Sequence, residues 1–296
     1  MRIVVSGASG LIGRHLVAHL RNRGHEVVVL VRRAEREPSE VRWDPAAGDL
    51  DPGRLGRVDA AVNLSGAGVG DHRWTDAYKD LIVRSRTETT STLVRALLAL
   101  DEPPEVLVNA SAIGAYGEGG DTVLTEGSPR GDDFLAHVVQ VWEEATEPAA
   151  AAGIRVSLAR TGLLANPVGG AFGQMLTLFR LGLGGPLGSG RQWWSLISMP
   201  DELAALEFLL TRPVPGPVNL VSPEPATNLA VTGALGAALH RPALLPVPAV
   251  ALRVALGEFA GSITGSQRVV PAALLEAGFT FRHPDVGAVT TWLANA

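Results

Sequence analysis

Short apolar runs alternate with longer amphipathic stretches through the first half of the chain. The runs at 2–6 and 26–31 are continuous and rich in β-branched residues, which is typical of buried parallel strands. Between them, apolar residues recur at helical spacing: Leu11, Ile12, Leu16, Val17 and Leu20. The pattern therefore predicts a strand, a turn, a helix and a second strand at the start of the chain.

The alternation continues further along the chain. Apolar runs recur at 59–66, 105–111 and 154–160, and helical stretches at 75–99 and 132–152 separate them. Alternating strands and helices predict an α/β fold, here a Rossmann-type doubly wound parallel sheet. In such a sheet, ligands bind at the carboxyl ends of the strands.

Three glycines follow the first strand directly. Gly7 permits a tight turn, Gly10 lets the backbone approach a diphosphate, and Gly13 lets the helix pack close to the strand. The amino end of the helix then favours the anion. This arrangement predicts a dinucleotide site, and the alternative is a glycine turn with a structural role only.

Two arginines end the second strand, where an NAD site usually has an acidic residue that binds the ribose 2′-hydroxyl. The guanidinium groups of Arg32 and Arg33 suit a 2′-phosphate instead. We therefore predict NADP(H) as the cofactor, with a solvated basic loop as the alternative.

The predicted cofactor site extends along the carboxyl edge of the sheet. A helical arginine, Arg84 or Arg86, is a candidate for a phosphate contact, and a surface helix is the alternative. The predicted cofactor-binding residues are Gly7, Ser9, Gly10, Leu11, Ile12, Gly13, Arg32, Arg33, Leu64, Ser65, Gly66, Arg84 and Ala110.

The composition of the chain changes after Arg160, where glycine-rich and proline-rich segments appear. We predict a nucleotide-binding domain over 1–163, to which 195–222 returns, and a smaller C-terminal substrate lobe over 164–194 and 223–296. Within this lobe the pattern predicts helices at 228–240 and 246–260 and, over 271–281, a short helix followed by a strand.

Composition excludes several classes of function. Charged residues make up 19% of the 296 residues and the net charge is -5, so no electrostatic footprint for nucleic acid is present. The chain has no cysteine and no metal-ligand spacing, so we expect neither disulfides nor a metal. No apolar run is long enough for a signal peptide or a membrane span. We expect a cytoplasmic protein with a small-molecule substrate and no membrane partner, and the oligomeric state stays open.

Several motifs resemble the extended short-chain dehydrogenase/reductase superfamily: GASGLIG at 7–13, VNLSGAG at 62–68, SAIGAYG at 111–117 and RTG at 160–162. Further segments are similar to its atypical NAD(P)-dependent epimerase/dehydratase-like family, whose members are sometimes called sugar-nucleotide epimerases or cell-division inhibitors. They include RWDP at 42–45, GGPLGSGRQWWS at 184–195 and QRVVPAALLEAGFTF at 267–281. The resemblance covers nearly the whole chain and implies the fold and the preference for NADP(H). It implies no specific substrate.

The chain departs from the superfamily at the Tyr-x-x-x-Lys pair, whose lysine lowers the tyrosine pKa and holds the nicotinamide ribose. Its only lysine is Lys79, and neither Tyr78 nor Tyr116 has a lysine four residues later. Phe134 and Val138 stand where the pair would fall. The usual proton relay is therefore absent.

Ser111 and Tyr116 are the remaining catalytic candidates. Without a lysine, the ordinary tyrosine pKa of about 10 leaves roughly one hydroxyl in a thousand ionised at pH 7. Tyr116 is therefore better suited to donate a proton during carbonyl reduction than to accept one during alcohol oxidation. The alternatives are a strand-end cap for Ser111 and a packed aromatic residue for Tyr116.

Two further sets of residues complete the sequence-based site. The predicted substrate contacts are Arg160, Gln192 and Trp193, the last two in the glycine-rich loop. Glu143 and Glu144 adjoin on a helix, and we interpret this pair as part of a solvated face.

These features predict an NADP(H)-binding oxidoreductase or epimerase-like enzyme. It would act on a carbonyl or hydroxyl group of a small polar substrate, for which a sugar nucleotide is one candidate. The alternative is a non-catalytic NADPH-binding regulatory protein, which the missing relay favours.

Overall fold

The computed structural model describes all residues from 1 to 296. The strands, in chain order, are β1 (Arg2–Ser6), β2 (Glu26–Val31), β3 (Glu40–Arg42), β4 (Ala60–Asn63), β5 (Val106–Ala112), β6 (Val123–Leu124), β7 (Arg155–Thr161), β8 (Leu163–Ala165), β9 (Trp193–Trp194), β10 (Leu196–Ser198), β11 (Gly216–Leu220), β12 (Ala226–Thr227) and β13 (Arg268–Val269). The α-helices are α1 (Leu11–Asn22), α2 (Asp76–Leu98), α3 (Phe134–Glu144), α4 (Glu147–Ala151), α5 (Gly170–Arg180), α6 (Met199–Thr211), α7 (Asn228–Ala238), α8 (Ala249–Leu256), α9 (Ala260–Thr264), α10 (Ala272–Glu276) and α11 (Val286–Asn295).

Seven parallel strands form the central sheet in the order β11-β7-β5-β4-β1-β2-β3. The order reverses between β1 and β4, which is the switch point where such sheets bind ligands. Helices cover both faces, so the strands are mostly apolar, and Ile3, Val4 and Val5 of β1 are fully buried. The predicted Rossmann-type doubly wound sheet is confirmed.

The two faces of the sheet are covered by different helices. Leu16 and Leu20 of α1 share a core with Leu206 and Leu209 of α6 on one face. On the other face, α2 packs through Leu93 and Leu97 and is joined by α4. The helix α3 lies beside α2, where Trp142 Nε1 donates a hydrogen bond to Thr90 Oγ1 at 3.1 Å.

After β7 the chain leaves the central sheet, and it rejoins the sheet at β11. β11 pairs with β7 at the edge of the sheet, and α6 precedes it on the α1 face. A separate apolar cluster joins α5, α7 and α11 through Phe172, Leu176, Leu235 and Leu293. This cluster is separate from the two cores that flank the central sheet. The division into a nucleotide-binding domain and a smaller C-terminal lobe stays a prediction.

The structure differs from the predicted elements where glycine or proline interrupts the pattern. The predicted helix at 132–152 is two helices, because Pro148 stands in the first turn of α4, where its missing N–H costs nothing. The predicted helix at 246–260 stops at Gly257, whose φ is +64°, and continues as a short 3-10 turn and α9. The strand predicted after α10 is absent, since Phe279 packs into the α1 face from a loop.

The short strand β3 has no counterpart in the sequence-based prediction. It has three residues, too few to show a two-residue period, and it forms only because β2 offers an edge. None of the helices combines the length and the apolar character that crossing a bilayer requires.

Candidate functional site

The glycine turn holds α1 against the ends of β1 and β4. Gly7 has a φ of +71°, and a Cβ there would lie 2.5 Å from the carbonyl carbon of Leu64. A Cβ on Gly13 would overlap the carbonyl oxygen of Gly7. The fold itself therefore requires glycine at both positions.

Gly10 differs from its two neighbours in the motif. Its φ of -72° suits any residue, and a Cβ there would meet a single atom, the Gly7 carbonyl oxygen, at 3.2 Å. The position is exposed, α1 begins without a side-chain cap, and its first turn contains no acidic residue. The missing side chain thus leaves the amide groups of the first turn open to an anion, and a dinucleotide diphosphate fits this cradle.

A buried polar ladder connects the strand ends beneath this cradle. Ser6 Oγ donates to Asn63 Oδ1 at 2.5 Å, and Asn63 Nδ2 donates to Asn109 Oδ1 at 2.7 Å. The Ser65 hydroxyl donates to Ser6 Oγ at 3.0 Å. The sequence carried a signal for this ladder, since Asn63 and Asn109 interrupt otherwise apolar strands.

The two arginines after β2 differ in whether a carboxylate neutralises them. Arg33 donates to both carboxylate oxygens of Glu40, at 2.5 and 2.7 Å, and this hydrogen bonding lowers the pKa of Glu40 to about 2. Arg32 is exposed and has no hydrogen bond or ion pair. Its guanidinium is therefore the available cation at the end of β2.

The other predicted cofactor residues lie along one edge of the sheet. Ser9 and Gly66 are exposed there, and Leu11, Ile12, Leu64, Ser65 and Ala110 are partly exposed. Arg84 is also exposed, but it makes no contact with this edge. Arg86, two residues further along α2, lies against Gly66 instead.

Ser111 and Tyr116 form hydrogen bonds within the protein. The Ser111 hydroxyl donates to Glu143 Oε1 at 2.6 Å, and the Tyr116 hydroxyl donates to Asn219 Oδ1 at 2.7 Å. Both side chains are buried, with 5% and 4% of their surfaces exposed. Burial raises the pKa of Tyr116 further, against the lowering effect of the nearby Arg160. Tyr116 is thus a packed aromatic residue with a satisfied hydroxyl, whereas Ser111 bonds a carboxylate rather than capping the strand end. The catalytic role of either residue stays a prediction.

Glu143 is the centre of this buried network. Arg160 donates to both of its carboxylate oxygens at 2.9 Å, and Arg130 donates to Oε2 at 2.5 Å. Burial alone would raise the pKa of Glu143, but Arg160, Ser111 and Arg130 together lower it below its usual value. The interpretation of Glu143 as part of a solvated face was wrong, because only Glu144 is exposed. A helix can bury one of two adjacent residues when the strand opposite supplies a cation.

The predicted substrate residues do not form one surface. Arg160 is buried on Glu143, and it also donates to the Tyr116 hydroxyl at 3.0 Å. Gln192 is buried and donates to the carbonyl of Leu187, which closes its own loop. Trp193 keeps exposed surface, and its Nε1 donates to Asp121 Oδ1 at 2.7 Å.

Glu202 is a buried acid that the sequence analysis missed. It lies in the first turn of α6, and Thr161, at the carboxyl end of β7, donates to its Oε1 at 2.8 Å. Its Oε2 atom is buried without a partner, and burial raises the pKa of this carboxyl to about 8. Glu202 is therefore a neutral acid at pH 7, close to the edge of the sheet.

Comparisons with known proteins agree with this architecture. The model of the NAD dependent epimerase/dehydratase family matches residues 3–221, and that of a domain of unknown function matches residues 247–293. The chain belongs to the NAD-dependent epimerase/dehydratase family. The resemblance inferred from the motifs is confirmed, and a dinucleotide cofactor agrees with the family description.

Relatives in this family match over their whole lengths. An epimerase family protein of Mycobacterium tuberculosis is 46% identical over 96% of this chain and 95% of its own. The human epimerase family protein SDR39U1 is 35% identical over 97% of this chain and 98% of its own.

Two solved structures are also similar to this chain. A crystal structure of human SDR39U1 with NADPH has a TM-score of 0.92 at 33% identity, covering 100% of this chain and 99% of that one. A nucleoside-diphosphate sugar epimerase from Corynebacterium glutamicum has a TM-score of 0.80 at 34% identity, covering 99% of this chain and 58% of that one.

We predict that Glu143→Gln destabilises the fold at pH 7 by about 3–5 kcal/mol, because it leaves Arg160 buried without its counter-charge. Urea unfolding measures the loss, and Glu144→Gln on the same helix is the matched control. In the wild type, the Glu143 contribution is present above the ordinary carboxyl pKa. This contribution is lost as the pH falls through the lowered pKa of Glu143 in the folded protein. The stability of Glu143→Gln should therefore depend less on pH in the acidic range than that of the wild type. Equal stability of the two variants would contradict a central role for Glu143.

We predict that Glu202 has the opposite effect on how the stability of the fold depends on pH. Its pKa rises from 4.5 in the unfolded chain to about 8 in the folded protein, so between these values only the unfolded chain releases the proton. Stability then falls with rising pH, by at most about 1.4 kcal/mol per unit from this group. Urea unfolding at pH 5, 6.5 and 8 should show that Glu202→Gln gains stability relative to the wild type as the pH rises. The exposed Glu276→Gln is the control, and parallel pH profiles for wild type and Glu202→Gln would refute the assignment.

Proposed function

We propose that this protein binds NADP(H) across the carboxyl edge of its sheet and that cofactor binding is its retained function. The observation that carries the proposal is Gly10, an exposed position with an ordinary φ where an added Cβ would meet only the Gly7 carbonyl oxygen, at 3.2 Å, and would stand before the amide groups of the first turn of α1. When bound, the nicotinamide ring can give or take a hydride.

Selection of the phosphorylated cofactor is assigned to Arg32. A cation without a protein partner at the end of the second strand suits a 2′-phosphate, whereas Arg33 is already neutralised by Glu40. The NADPH in the crystal structure of the human relative supports the same choice.

The geometry favours a regulatory, cofactor-reading role over alcohol oxidation. Oxidation needs a base for the hydroxyl proton, and the relay positions hold Phe134 and Val138. Ser111 and Tyr116 are buried donors whose hydrogen bonds stabilise the fold. A reporter of the NADPH pool needs only the cofactor site and a loop that responds to it, for which the loop containing Trp193 is the candidate.

We predict that Arg32→Ala weakens NADPH binding roughly ten- to hundredfold, the value of losing a charge-assisted hydrogen bond, and leaves NADH binding unchanged. Arg33→Ala should have the smaller effect, because its guanidinium is held by Glu40. Calorimetric titration of each variant with both cofactors measures this. If Arg32→Ala retained the wild-type preference for NADPH, the assignment of Arg32 would be wrong.

A second candidate function is NADPH-dependent reduction of a carbonyl group. Glu202 favours it, because the partly exposed Thr161 hydroxyl can give its proton to a substrate at this edge of the sheet and take the proton of the neutral Glu202 carboxyl in its place. The substrate class is a small polar compound, and the name of the Corynebacterium neighbour points to nucleoside-diphosphate sugars.

Turnover separates the two functions. The protein is mixed with NADPH and a panel of carbonyl compounds that includes 4-keto nucleoside-diphosphate sugars, and the absorbance of the reduced nicotinamide is followed. Reduction that is lost in Glu202→Gln, with NADPH binding intact, would establish the enzyme. We expect tight binding without turnover across the panel. Reduction that persists in Glu202→Gln would exclude both accounts of the site.

A further inference from the structure

Arg86 is a cation that its protein environment leaves without a counter-ion. It projects from α2 toward the end of β4 and makes no ion pair with any carboxylate. Its Nη1 atom donates to the carbonyls of Ala67 and Ile82, both at 3.0 Å. Its guanidinium lies over the ring of Trp142, with 4.9 Å between Cζ and the ring centroid.

The hydrogen bonding of Arg86 is incomplete, unlike that of a structural arginine in the same protein. Arg155 uses both terminal nitrogens to donate to three carbonyls at the end of α6. Arg86 uses Nη1 alone, so its Nε and Nη2 atoms have no protein acceptor. Neither atom is among the buried atoms that lack a partner, so both reach accessible surface.

The sequence makes room for this side chain at the cofactor edge. A Cβ on Gly66 would lie 3.2–3.3 Å from the Cγ, Cζ and Nη1 atoms of Arg86. Gly66 is exposed and directly follows Leu64 and Ser65, which pack against Gly7. The guanidinium therefore lies beside the same strand end that shapes the predicted diphosphate cradle.

Keeping a cation in this place costs stability. Burial lowers the pKa of Arg86 to about 10, and the group stays charged at pH 7. A partly desolvated charge without a counter-ion is unfavourable in the free protein. A ligand that supplies the missing anion would recover this free energy.

We infer that Arg86 is an anion-binding residue of the cofactor edge, whose free Nε and Nη2 groups donate to a phosphate or carboxylate oxygen of a ligand lying over Gly66. This inference rests on the proposed binding of NADP(H). The anion comes either from the diphosphate of the cofactor itself or from an acidic group of a second ligand bound beside it.

The test compares Arg86→Met, Arg86→Lys and the control Arg95→Met. Arg95 lies near the C-terminal end of α2 and donates to the carbonyls of Ser91 and Gly48. Calorimetry measures NADPH affinity, and thermal unfolding without ligand measures stability. We expect Arg86→Met to weaken NADPH binding roughly ten- to hundredfold without lowering the melting temperature, and Arg86→Lys to restore part of the affinity. Arg95→Met should leave the affinity unchanged.

A second titration identifies the source of the anion. If Arg86→Met binds NADPH normally, inorganic phosphate is added to the NADPH-saturated proteins. A rise in melting temperature in the wild type but not in Arg86→Met then assigns the anion to a second ligand. Unchanged NADPH affinity together with equal stabilisation of both proteins by phosphate would overturn the inference.

The outcome for the proposed function is read separately, from the wild type alone. Wild-type protein that does not bind NADPH refutes the proposed function. In that case a selective effect of phosphate on the wild type, absent in Arg86→Met, still supports the anion site.

Discussion

The close approach of α1 to the ends of β1 and β4 is the constraint on which the site depends. In this packing Gly13 lies against the Gly7 carbonyl and Gly7 lies against the Leu64 carbonyl. A side chain at either position would overlap those backbone atoms, so both must be glycine. This packing directs the amino end of α1 at the switch point of the sheet. The polar ladder from Ser6 to Asn109 then fixes the neighbouring strand ends in the same register.

The central fold and the glycine turn at which we propose that the cofactor binds could be predicted from the sequence, because both depend on local patterns. Buried parallel strands are continuous apolar runs, and the turn after β1 needs glycine at fixed spacing. The breaks within 132–152 and 246–260 were also local in origin, at Pro148 and Gly257, but the apolar period continued across them. The helical spacing of apolar residues therefore predicted one continuous helix in each segment, where the structure has two.

Long-range charge pairing could not be predicted. Glu143 was interpreted as solvated beside Glu144 because the sequence does not show that Arg160, on a neighbouring strand, faces it. Glu40 neutralises Arg33 from β3, a strand too short to recognise. Glu202 gives no signal at all, since its raised pKa arises only from its burial at the start of α6. Each of these contacts changes which residue is free to bind a ligand.

The Tyr-x-x-x-Lys relay is absent, since Phe134 and Val138 stand where it would fall. At the same edge of the sheet, Ser111 and Tyr116 make buried hydrogen bonds to Glu143 and Asn219. What remains open at that edge is a glycine cradle with two unpaired cations, Arg32 and Arg86. This combination suits an anionic ligand, which is why we propose cofactor binding, rather than proton transfer, as the function of this edge.

Calorimetric titration of Gly10→Ala with NADPH, alongside its melting temperature, tests this account most directly. The account predicts a folded protein whose NADPH affinity is reduced at least about tenfold, because the added methyl group blocks the diphosphate and meets only one atom of the fold, the Gly7 carbonyl oxygen. A folded Gly10→Ala protein that binds NADPH as tightly as the wild type would contradict it.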